Sequence, residues 1–158
     1  MKTPWVFITA FAFVFYTTGA GFIESFVNYS SWHLIGESEF TAYHRFISPR
    51  VLMFLVAPAV LGTVFNVLML WFRPQTIPRW SVWLSITLQA VVWISSATIQ
   101  IPIQVQLSAK GLSIPLIERL IQTNFLLRRI PYGITALLFV WMMIRTLRDA
   151  VPSKDVAA

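Results

Sequence analysis

The stretch that decides the fold is Val51 to Phe72, VLMFLVAPAVLGTVFNVLMLWF. It carries no charged side chain. At about 1.5 Å per residue it reaches about 33 Å as a helix, enough to cross a hydrocarbon core of about 30 Å. A helix on the surface of a soluble domain would show a polar face. Here only Thr63 and Asn66 interrupt an apolar surface that goes all the way round. Arg50 precedes the run and Arg73-Pro74 closes it. Pro58 and Gly62 inside it predict a kink, which lipid tolerates because neighbouring helices satisfy the freed backbone groups.

Three more runs of this kind flank it. The first continues from Trp5 through Phe22, Ile23, Phe26 and Val27. Lys2 and Thr18-Gly19-Ala20 have the look of a signal peptide, but the unbroken pattern reads as a retained span. The third run is Trp80 to Val105, and the fourth begins at Ile130. The expected spans are about 5–27, 51–72, 80–105 and 130–147. They form one domain over 1–150, with a flexible tail at 151–158. The fold class is an all-α integral membrane protein, a four-helix transmembrane bundle.

Composition agrees: of 158 residues, 57% are hydrophobic and only 11% charged. A soluble domain is nearer a quarter charged. There are no cysteines, so thiolate metal sites and iron–sulfur clusters have no ligands. The net charge is +6, but its Lys and Arg sit singly or in pairs at the ends of apolar runs. That pattern anchors helix ends at headgroups and lacks the basic stripe of a nucleic-acid binder. The expected partners are the lipid bilayer and a hydrophobic small molecule, with no nucleic acid. A second copy or another membrane subunit is the partner expected of a purely structural role.

Two linkers join the spans, Asn28 to Pro49 and Gln106 to Arg129. Phe40, Tyr43, His44 and Ile47 recur at helical spacing in one, and Leu116, Leu120, Ile121 and Asn124 in the other. Both linkers are therefore expected to carry short amphipathic helices, lying against the bundle or the headgroups, on the side opposite the termini. Lys2, Arg73, Arg79, Arg145, Arg148 and Lys154 flank the termini and the short turn. Arg45, Arg50, Lys110, Arg119, Arg128 and Arg129 lie in the linkers. If Arg50, Arg128 and Arg129 turn inward, the positive-inside rule puts both termini in the cytoplasm of a multi-pass inner-membrane protein.

Polar side chains in lipid are costly and usually face the bundle interior. Ser85, Gln89, Ser96, Gln100 and Gln104 return to one face of the third span. Two readings stand: interhelical glue, or the wall of a cavity. Glu24, followed at i+4 by Asn28, is expected to pair with Arg50, Arg128 or Arg129, as a clamp or as part of a site. His33, Glu37 and His44 are spaced to share a helical face, which is compatible with a metal, but Gly36 and Ser38 argue against one continuous helix there. No metal site is therefore expected. The loop and elbow motifs of nucleotide and hydrolase chemistry are absent.

The stretches Phe26-Val27-Asn28-Tyr29-Ser30-Ser31-Trp32-His33-Leu34-Ile35-Gly36, Phe40-Thr41-Ala42-Tyr43-His44 and Thr123-Asn124-Phe125-Leu126-Leu127-Arg128 resemble small bacterial four-helix membrane proteins grouped with the anthrone-oxygenase-like family. The resemblance implies oxygen insertion into an electron-rich aromatic ring without a metal or organic cofactor. Such chemistry needs a base and donors for an oxyanion. His33, His44 or Glu24 could act as base, with His33 and His44 the catalytic candidates. Glu24, Asn28, Trp32, Gln100, Gln104, Asn124 and Arg128 are the expected substrate-binding set. The same inventory suits a quinone or lipid bound without reaction, or a non-catalytic subunit.

Overall fold

A computed structural model describes residues 4–150. The expected tail at 151–158, together with Lys2 and Lys154, lies outside them. Four helices long and apolar enough to cross a membrane make up the chain: α1, Trp5–Leu34; α2, Glu37–Phe72; α3, Arg79–Lys110; and α4, Ile114–Asp149. They alternate in direction and pack in a ring, α1 on α2, α2 on α3, α3 on α4 and α4 on α1. The described chain thus starts and finishes at one end of the bundle. This is the all-α four-helix arrangement read from the sequence.

The linkers carry the expected helices, packed against the bundle, but these are continuous with the spans rather than separate elements. Glu37–Val51 runs directly into α2, and Ile114–Asn124 into α4. The apolar faces of Phe40 and Leu120 belong to a small core built with Tyr29, Trp32, Ile103, Leu107 and Ile117. Burying those faces against α1 and α3 holds the linkers in line with the spans. The four helices, of 30 to 36 residues, exceed the length of about 20 residues needed to span a hydrocarbon core, and this end of the bundle forms a compact cap.

Local chemistry sets the breaks. Arg73 is extended before Pro74, the conformation that a following proline favours. Its guanidinium then ties the turn, donating to the carbonyls of Ile77 at 2.8 Å and Leu70 at 3.2 Å. Gly111 ends α3 with φ 83, a conformation that only glycine adopts cheaply. Pro115 then starts α4, where its missing N–H costs nothing.

A second core fills the opposite end of the bundle, around Phe7, Ala10, Val14, Met69, Ile77, Phe139 and Met142. Between the two cores each helix contains one widened, π-type turn: Glu24–Asn28, Leu52–Val56, Ser96–Gln100 and Phe125–Arg129. Three of these lie just before a proline, Pro58, Pro102 or Pro131. Proline cannot donate to the carbonyl four residues back, and the turn there loosens. Hydroxyls from neighbouring helices meet two of the freed carbonyls. Tyr16 donates to the Phe54 carbonyl at 2.8 Å, and Ser95 to that of Leu127 at 3.5 Å.

Candidate functional site

Widening four helices at one level opens a cavity of about 410 Å³ between the two cores. Each of the four π-type turns contributes to its wall, through Glu24, Leu52, Leu55, Val56, Ser96, Gln100 and Arg128. Such turns recur at functional sites because they re-aim side chains out of the regular helical ladder.

Two hydrogen-bond networks frame the cap end of the cavity. In the first, Asn28 is the hub. Its amide donates to the Glu24 carboxylate at 2.9 Å, and its oxygen accepts from the Trp32 indole at 3.1 Å and the Tyr43 hydroxyl at 2.7 Å. In the second, His44 Nε2 meets Gln104 Oε1 at 2.6 Å and Nδ1 meets the Ser108 hydroxyl at 2.9 Å. Gln104 in turn donates to the Tyr29 hydroxyl at 3.3 Å. With that amide orientation, the Nε2 proton points at Gln104 and Nδ1 accepts from Ser108. Trp32 packs edge-on to the imidazole and Phe40 stacks on it.

The expected residues divide as follows. Glu24, Trp32, His44, Gln100, Gln104 and Arg128 all line the cavity. Asn28 stands behind Glu24 and holds it. Asn124 is buried but faces helix α1, where its amide donates to the Ser25 hydroxyl. His33 does not join the group. It lies in the tight final turn of α1 and is exposed, because the chain breaks helix at Ile35-Gly36 before α2 begins. Glu37, in the exposed first turn of α2, stands well clear of the buried His44, so His33, Glu37 and His44 do not converge.

The arginines also depart from expectation. Glu24 takes its direct bond from Asn28, while the charges of Arg128 and Arg129 face it from α4. Arg129 is buried over Tyr132, its guanidinium occupying the space that a side chain at Gly21 would need. Arg50 does not turn inward. It is exposed and folds back onto its own helix, stacking over Phe46 at 3.5 Å.

The polar stripe of α3 splits in two. Ser85 and Gln89 meet Asn66 of α2, the hydroxyl donating to its amide oxygen at 2.8 Å and its Nδ2 donating to Gln89 at 2.9 Å. That half is interhelical glue. Ser96, Gln100 and Gln104 line the cavity. Gln100 is 2% exposed, and neither atom of its amide has a hydrogen-bond partner among the described residues. Ser108 and Tyr132 were legible as continuations, at i+4, of Gln104 and Arg128. Tyr29 carried no such signal. No protein-family profile, no curated protein and no solved structure matches the chain.

Proposed function

We propose that this protein binds a small, largely apolar ring compound bearing an oxygen, taken up from the membrane. The observation that carries this reading is the composition of the cavity wall. Aromatic side chains, Tyr29, Trp32, Trp93 and Tyr132, supply flat apolar surface, and Glu24, Gln100 and Arg128 supply acceptors and donors among them. The test is titration of the purified protein in lipid nanodiscs with 1,4-naphthoquinone, read by tryptophan quenching. Saturable quenching that disappears in Ser48→Phe, which fills the polar part of the cavity from α2, supports the reading. Quenching that grows linearly with probe and ignores Ser48→Phe overturns it.

A second reading, a cofactor-independent oxygenase, draws on the resemblance and on Glu24. The carboxylate lines the cavity with one protein hydrogen bond, from Asn28, and is better placed as a base than His44, whose two ring nitrogens are both engaged. An activated CH₂ between aromatic rings would give one proton to Glu24. Dioxygen would add to that carbon, and loss of water would leave a ketone, so that R₂CH₂ + O₂ gives R₂CO + H₂O. Arg128 would stand against the oxyanion. Oxygen uptake with anthrone, abolished in Glu24→Gln, separates this reading from binding alone.

We further infer that both termini face the cytoplasm of a bacterial inner membrane. With Arg128 and Arg129 turned into the bundle, four cations (Arg45, Arg50, Lys110 and Arg119) remain at the cap end, beside Glu37, Glu39 and Glu118. Six flank the termini and the short turn in the sequence. Reporter fusions at the N-terminus, Gln75 and the C-terminus should agree with each other and oppose fusions at Glu37 and Lys110.

A further inference from the structure

The cavity is a slot. From His44 to Ala59 on α2 it follows about 22 Å of helix, so its volume of about 410 Å³ is spread thin. Polarity changes along that length. His44, Ser48, Gln104 and Ser108 lie at the cap end, and Leu55, Val56, Ala59 and Val92 at the other. The change falls at membrane-boundary depth, beside Arg50 and Arg128. Ala59 is about 13 Å further in than Arg50, close to the middle of a hydrocarbon core of about 30 Å.

The slot also has a side opening. Among the lining residues, Leu52, Ile101 and Val105 are exposed, over 60%, 56% and 60% of their surfaces. All three are apolar, one on α2 and two on α3. Those helices pack together toward the termini and again in the cap, but part at their π-type turns between. Val105 stands beside Gln104 at the cap end, Ile101 lies one turn further in, and Leu52 is two residues inward of Arg50, so the mouth straddles the boundary, and its three apolar side chains favour acyl chains over a water-borne solute.

Resting on the ring-binding reading above, we infer that the ligand has a tail. It is a membrane-resident amphiphile whose oxygen-bearing ring lies in the polar part of the slot. Its hydrocarbon chain leaves sideways between α2 and α3, past Leu52, Ile101 and Val105, into the bilayer. The polar-to-apolar order of the slot matches the order such a molecule already has in the leaflet on the cap side, so it enters without turning over. Carrying the chain out into lipid also leaves the narrow slot to the ring.

The experiment uses the full chain in nanodiscs and two probes with the same ring, 2,3-dimethoxy-5-methyl-1,4-benzoquinone without a tail and with a decyl chain. Binding is measured by calorimetry and expressed per mole of lipid, so that partitioning is removed. The tailed probe should bind at least about tenfold more tightly. Leu52→Trp and, from the other side of the mouth, Val105→Trp should each remove most of that advantage, weakening the tailed probe far more than the tailless one. Both substitutions lie on lipid-facing surface, and an unchanged melting temperature in detergent verifies the fold. Equal affinity for the two probes, or equal weakening of both by the mouth variants, overturns the tail while leaving the ring site standing. Absence of saturable binding by either probe overturns the ring site, and the tail with it.

Discussion

His44 of α2 and Gln104 of α3 meet at 2.6 Å between imidazole nitrogen and amide oxygen, across the cap end of the cavity. Ser108 takes the second ring nitrogen, one turn further along α3. The histidine is thereby a crosslink between two helices that part immediately beyond it. His44→Ala leaves the half-buried Gln104 and Ser108 without this partner, at a cost of about 1 kcal/mol. The melting temperature in detergent should fall, and the double variant with Gln104→Ala should fall less than the sum of the two singles.

Glu24→Gln should behave in the opposite way. The amide keeps the size of the carboxylate and can still accept from Asn28, so melting should shift little. Probe binding or oxygen uptake should change strongly. Parallel loss of stability and binding in this variant would make Glu24 a clamp.

Gln100→Leu should stabilise the ligand-free protein. Two buried polar atoms without partners each cost about 1–3 kcal/mol, and leucine removes both at similar volume. A raised melting temperature together with weakened naphthoquinone binding is the expected result, the trade-off of a group held ready for a ligand. Asn66→Leu is the control. It breaks the bonds to Ser85 and Gln89 and should lower stability without altering affinity at the cavity.

Gly21→Ala isolates a close approach. In an unhindered helix this change would gain about 1 kcal/mol. Here the new methyl lands on the Arg129 guanidinium, which must move aside, so that gain should be lost. Combining it with Arg129→Ala should remove the steric part of that loss. Unfolding in mixed micelles, followed for the single variants and the pair, measures it.

The spans, their number and their alternating direction were legible because lipid tolerates no long polar stretch and every helix must satisfy its own backbone. The stripe from Ser85 to Gln104 was legible as a face, since that follows from 3.6 residues per turn alone. Which half of it is glue was not. That depends on whether α2 presents Asn66 or a widened turn opposite it, a fact of packing between helices. Likewise Asn28, His44 and Arg128 could be named from residue type and depth, but not that Asn28 supports Glu24 from behind. Nor could the sequence tell that His33, eleven positions before His44, faces outward. Periodicity assigns a residue to a face of its own helix. Only the tertiary structure decides what stands against that face, because the break at Ile35-Gly36 and the loosened turns before Pro58, Pro102 and Pro131 set each helix's rotation and separation from its neighbours.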